Sequence, residues 1–156
     1  MAAFLLSGCY ATPHLYTVVT AEGYSEKLQT KPFNKYIIVD ESYSTELQIG
    51  LIALQLGNNR ETKKALDSIS DLSEQNFLKG MLNLNNREYE IAAIYFKEAA
   101  EKGNFQARIL EVACEAQLGT QLDYLKIYQS LYDQTPNDLY RQLVMSHYQM
   151  YRYGLY

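Results

Sequence analysis

The chain has no tryptophan, three prolines, two histidines and two cysteines among its 156 residues. A tetrahedral zinc site would consume nearly every His and Cys present, and no pair of them has ligand spacing, so structural zinc is excluded. Eight glycines and three prolines beside 47% hydrophobic residues exclude a collagen-like or disordered chain. Basic residues are also short: 14 Lys and Arg against 18 Asp and Glu leave a net charge of -4, the wrong sign for a general phosphate-backbone binder. No run approaches the roughly 20 apolar residues that cross a bilayer as a helix. There is no Gly-rich phosphate loop and no Gly-x-Ser-x-Gly elbow. What is abundant is tyrosine, with 15 residues. The length suits about one domain, long enough to bury a core without disulfides.

The texture changes near residue 44. From Tyr10 to Tyr43 there is little helical periodicity, with Pro13, Gly23 and Pro32 interspersed, which reads as an extended tether over residues 9–43. Two β-branched or aromatic runs, Tyr16 to Thr20 and Tyr36 to Val39, either pair as strands or lie along the helical body. Residues 44–156 carry apolar residues at helical spacing, with Pro136 the one proline. Caps and breakers divide this stretch into seven helices. Ser44 caps the first, whose face is Ile49, Ile52, Ala53 and Leu56, stopped at Gly57. The second runs from Arg60 to Leu72 and the third carries Phe77, Leu78, Met81 and Leu82 up to Asn85-Asn86. The fourth runs from Arg87 to Lys102 and the fifth, with Phe105, Ile109, Val112, Ala113 and Ala116, ends at Gly119. Thr120 caps the sixth, which carries Tyr124, Leu125, Tyr128, Leu131 and Tyr132, and the seventh presents Tyr140, Val144, Tyr148 and Tyr151. Such short loops force antiparallel neighbours.

Two stretches resemble known families. Leu6-Ser7-Gly8-Cys9, closing a short apolar run, is similar to the lipobox of bacterial lipoproteins. The resemblance implies that residues 1–8 are the remnant of a signal peptide and that Cys9 becomes a lipidated N-terminus; Tyr10 where an Asp would retain the protein implies outer-membrane sorting. Cys114, in an Ala-rich helical pattern, then reads as a small buried apolar residue. Further along, Gly80 followed by Tyr89, Ala92, Phe96 and Ala99 resembles a tetratricopeptide repeat, and Tyr95 to Asn104 with Ala107 is similar to its Sel1-like variant. The turn markers Gly57, Asn86 and Gly119 fall at a compatible period. The resemblance covers residues 44 to 136, with 139 to 153 resembling a capping helix, and implies an all-α fold of antiparallel hairpins stacked as a short right-handed solenoid.

That resemblance implies an inner surface built by the first helix of each pair: Leu47, Gly50 and Leu54; Glu74, Phe77 and Met81; Gln106, Ile109 and Ala113. These residues either hold a peptide or partner helix or lie beneath the N-terminal segment, which is long enough to fold back along the groove. A second docking candidate is the C-terminal helix and tail, where Tyr140, Tyr148, Tyr151, Arg152 and Tyr153 combine phenols with a guanidinium, the composition of interface centres. Catalytic constellations are not legible: His14 and His147 are isolated, and Glu111 with Glu115 is an ordinary solvated pair one turn apart. The expectation is therefore no enzyme, no cofactor, no nucleic acid and no small-molecule substrate. It is a lipid-anchored scaffold on the periplasmic face of the outer membrane, binding protein partners in a secretion, pilus or flagellar assembly. A soluble cytoplasmic adaptor or secretion chaperone, and a regulator of a cell-wall hydrolase, are the alternatives.

Overall fold

The computed structural model describes residues 17–19, 36–119 and 123–153. Two short strands come first, β1 (Thr17–Val19) and β2 (Tyr36–Ile38), paired in parallel with Val18 opposite Ile37. Seven helices follow: α1 (Thr45–Gln55), α2 (Asn59–Ser68), α3 (Leu72–Asn85), α4 (Tyr89–Glu101), α5 (Phe105–Gln117), α6 (Tyr124–Asp133) and α7 (Asp138–Arg152). Among the described residues, the regular structure is helical apart from that strand pair.

Six of the helices begin at a residue whose side chain accepts a backbone N–H of the first turn: Ser44, Asn58, Asp71, Asn104, Asp123 and Asn137. The exception is α4, which starts at Glu88 without such a bond. The residue before it, Arg87, takes φ 60, the left-handed conformation that Gly57, Gly103 and Gly119 supply at the other turns. Thr120 lies outside the described residues, and Asp123 is the residue that caps α6.

Consecutive helices pack against one another, most closely α1 with α2, α3 with α4, and α4 with α5; α1 also meets α3, and α5 meets α7. Two glycines set the spacing of the first hairpins. A Cβ on Gly50 would lie 2.7 Å from Leu78 Cδ2 and 3.2 Å from Ala65 Cβ, and one on Gly80 would lie 2.6 Å from Phe96 Cε1. The backbones approach there because no side chain intervenes.

Three sequence expectations change. The buried residues of α1 are Leu47, Gly50, Leu51, Ala53, Leu54 and Gln55; of the expected face, Ala53 is buried and Ile52 packs against the core, whereas Ile49 and Leu56 are about half exposed. Both sets have helical spacing, and contact with α2 and α3 selects between them. The second helix stops at Ser68: Ile69 is extended and buried, and Leu72 opens α3 as an exposed residue. The folded body also reaches back to β2 rather than beginning at Ser44, since Ile37, Ile38 and Val39 are core residues.

The core has two parts. The first joins α1 to α4 with Ile37, Val39 and one side of α5; the second joins the other side of α5 to α6 and α7, with Ile38. Helix α5 is buried nearly all round because it serves both.

Candidate functional site

The first turns of α3, α5 and α7 each bond the segment from β2 to Ser44, through Glu74, Gln106 and Tyr140, and the segment runs directly into α1. Extended chain alternates its side chains, so Ile37 enters the first core and Ile38 the second. The main chain of Ile38 is held by one side chain. Gln106 Oε1 accepts the Ile38 N–H at 2.7 Å, and Gln106 Nε2 donates to the Ile38 carbonyl at 2.9 Å. The same Nε2 donates to the Tyr43 hydroxyl at 2.9 Å. Gln106 is fully buried, and every hydrogen bond it makes here goes to this segment.

Two residues on, Asp40 Oδ2 accepts the Tyr140 hydroxyl at 2.7 Å, while Oδ1 accepts the Ser42 N–H and hydroxyl at 2.8 and 2.7 Å. Burial works to raise the Asp40 pKa, but the Ser42 and Tyr140 hydrogen bonds outweigh it and hold the carboxyl below the usual range. Burial pushes the Tyr43 phenol up to about 12, and it raises Tyr140 further, aided by the neighbouring Tyr43 and Asp40. The Tyr43 ring packs 5.7 Å from Phe77, and Ser44 N–H donates to Glu74 Oε2 at 2.9 Å. An open polar pocket of about 430 Å³ lies beside this segment, lined in part by the helix-capping residues Asp71, Asn104 and Asn137. The Asp40 carboxylate thus sits among helix starts, where the backbone dipoles favour negative charge.

Full burial of Ile37 and Ile38 contributes about 1.5–3 kcal/mol each. Ordering the backbone costs about 1–2 kcal/mol per residue. Val39, also in the core, and the hydrogen bonds at Ile38 and Asp40 add to the favourable side.

A second concavity, about 480 Å³, runs along the outside of α6 and α7 between Tyr132, Arg141, Met145 and Gln149. Arg141 lies 5.6 Å over the Tyr132 ring and pairs with Asp138 at 2.6 Å.

The sequence-derived docking residues divide on burial. Leu47, Leu54, Phe77, Met81 and Ile109 are at most 2% exposed, so they are core and no partner can touch them; the expectation that they line an open groove is corrected. They lie with the N-terminal segment in one core or the other. Tyr140 is likewise buried and occupied by Asp40. Tyr148 and Tyr151 are both partly covered and pack against the second core, Tyr151 at 5.4 Å from Tyr124 and 6.1 Å from Tyr128. Arg152 and Tyr153 remain exposed, 5.9 Å apart in a cation–π arrangement. Cys9, His14 and the tail beyond Tyr153 lie outside the described residues. Glu74 and Gln106, expected on the inner surface, do bond the segment. Asp40 and Tyr43 were not singled out, and nothing local marks them, because their partners are distant in the chain.

Elsewhere, Cys114 is fully buried, and burial raises its thiol pKa, with Glu115 and Glu111 adding to the shift. Glu111 is itself buried against Arg108 at 2.8 Å. Among the described residues, no group of three His, Cys, Asp or Glu could hold a metal, and no helix is long and apolar enough to cross a membrane. No protein-family model, curated protein or solved structure matches the chain.

Proposed function

We propose that this chain is a protein-interaction scaffold built on tetratricopeptide or Sel1-like hairpins, stacked as a short right-handed solenoid. In this reading it is anchored by a lipid on Cys9 to the periplasmic face of the outer membrane, where it supports assembly of an envelope complex. The observation that carries the interaction reading is the Gln106 carboxamide, which holds both backbone groups of an extended residue, Ile38. A carboxamide used this way fixes the register of an extended chain without regard to its side chain, which is what a peptide-reading surface requires. The anchored reading is supported by Leu6-Ser7-Gly8-Cys9. Partners dock on surfaces left open, foremost the outer face of α6 and α7 around Met145, continuing to Arg152 and Tyr153.

Intact-mass measurement on protein from native membranes tests the anchor. Loss of residues 1–8 with a gain of lipid mass is expected, and Cys9→Ser should release the chain from the membrane fraction. An unmodified Cys9 would favour the soluble adaptor. Photocrosslinkers at Met145 and Tyr153 should capture the same envelope protein, while one at the exposed Lys63 on α2 should not.

A further inference from the structure

The segment 37–40 is bound like a ligand. Its backbone is read by a side chain, its apolar residues enter both cores, and its carboxylate is taken by Tyr140. It also lies outside every helical ladder. The first helical hydrogen bond of α1 runs from Gln48 N–H to the Ser44 carbonyl, after the segment has ended. Between them, residues 40–43 close a turn of their own, with Tyr43 N–H donating to the Asp40 carbonyl at 3.1 Å. Moving the segment away therefore breaks no helix; what it gives up is the pairing of Ile37 and Ile38 with Val18 and Val19 of β1, which an incoming extended segment can take over.

We propose that residues 37–40 are a displaceable internal occupant, and that the same seat accepts an extended partner segment of three apolar, β-branched residues followed by a carboxylate. This rests on the interaction reading above and names its ligand class. The requirements follow from the seat. The residue on Gln106 must offer both N–H and C=O, so proline is excluded there. Its two neighbours point together to the first core, opposite the clamped residue, so all three must be apolar. The carboxylate falls two residues after the clamp, where Tyr140 donates. Emptying the seat alone would expose the surroundings of Ile37 and Ile38 to water, so the closed state dominates until a segment of matching pattern replaces it.

The test uses the full chain and a fluorescent peptide, Lys-Tyr-Ile-Ile-Val-Asp-Glu-Ser, the sequence of residues 35–42. Wild type should bind it weakly, because its own segment competes. Ile38→Ala, which weakens the occupant and keeps the seat, should bind about tenfold more tightly or better. Gln106→Ala should lose that binding, and a peptide with Asn in place of Asp should bind less well. A destabilising core substitution with no exchange would not raise affinity. If Ile38→Ala loses its helical circular dichroism, Asp40→Asn serves as the second opened variant, since it loosens the latch and leaves both cores filled. Absence of binding by a folded variant, or equal binding of a scrambled peptide, overturns the proposal. So does a concentration-dependent dimer of the opened variant that the peptide cannot dissociate, which would mean that a second copy fills the seat. The assay needs no membrane, so its failure leaves the anchored scaffold standing, and an unlipidated Cys9 leaves the exchange standing.

Discussion

The two halves of the helical body close in opposite ways. From α1 to α4 the hairpins approach by removing side chains: Gly50 and Gly80 admit Leu78 and Phe96 directly onto backbone. From α5 to α7 the space is filled by rings whose polar tips find partners or a way out, with Tyr124 and Tyr128 against Tyr151, and Phe105 edge-on to Tyr140 at 5.9 Å. The first solution tolerates no added atom, and the second tolerates no lost volume. The difference also divides the chemistry, because His147, Tyr140 and Asp40 all belong to the tyrosine half or to the segment pinned against it.

Removing a ring should distinguish the halves most sharply. Tyr128 is fully buried, so Tyr128→Ala should cost about 3–5 kcal/mol in urea unfolding, with loss of amide protection in α6 and α7 ahead of α3 and α4. If protection falls uniformly, the two cores are one cooperative unit.

Acid should act on the same half. Burial lowers the His147 pKa from 6.5 to about 3, so the unfolded chain takes up a proton below about pH 6.5 and the native chain does not until near 3. Stability should therefore fall as pH drops through that window, at about 1.4 kcal/mol per unit, or about 3 kcal/mol between pH 6 and 4. Urea titrations of wild type and His147→Gln across the window should differ in slope, and parallel lines would remove His147 as the cause.

In the glycine half, Gly80→Ala places a methyl against the Phe96 ring and should cost about 1–3 kcal/mol. Phe96→Leu in the same chain should recover part of the loss, a coupling that a double-mutant cycle measures. Tyr140→Phe is the mildest change, costing about 1 kcal/mol, because Asp40 keeps its two bonds from Ser42. Its signature is in acid. The lowered Asp40 pKa contributes stability above pH 4 that disappears as the carboxyl protonates at lower pH. The substitution should flatten the curve below about pH 4, where the Asp40 loss overlaps the acid end of the His147 window.

The helices were legible because their ends are written locally. Gly57, Gly103 and Gly119 take the left-handed conformation that stops a helix, and Ser44, Asn58, Asp71, Asn104 and Asn137 cap the next ones. Of the small-and-aromatic set, Gly80, Ala92, Phe96 and Ala99 are buried and Tyr89 is partly covered against them. The face of α1 was not legible, since apolar residues occupy two stripes and only the neighbouring helices choose. Nor could the seat be read: Ile38 and Gln106 are 68 residues apart, and Asp40 and Tyr140 are 100 apart. The run Tyr36 to Val39 announced an extended piece of chain, but periodicity says nothing about what covers such a piece. For the inner-surface residues the sequence left two outcomes open, an exposed groove or cover by the N-terminal segment, and the cores show the second.

The direction of the strand pair has a mechanical consequence. Because β1 and β2 run the same way, tension arriving ahead of Thr17 and resisted beyond Ile38 pulls along the strands in opposite senses, loading their backbone bonds together in shear rather than peeling them singly. In the anchored reading, the eight residues from Cys9 to Thr17 reach at most about 29 Å, so the leash is short and the first joint to feel the bilayer's pull is the one that holds both cores.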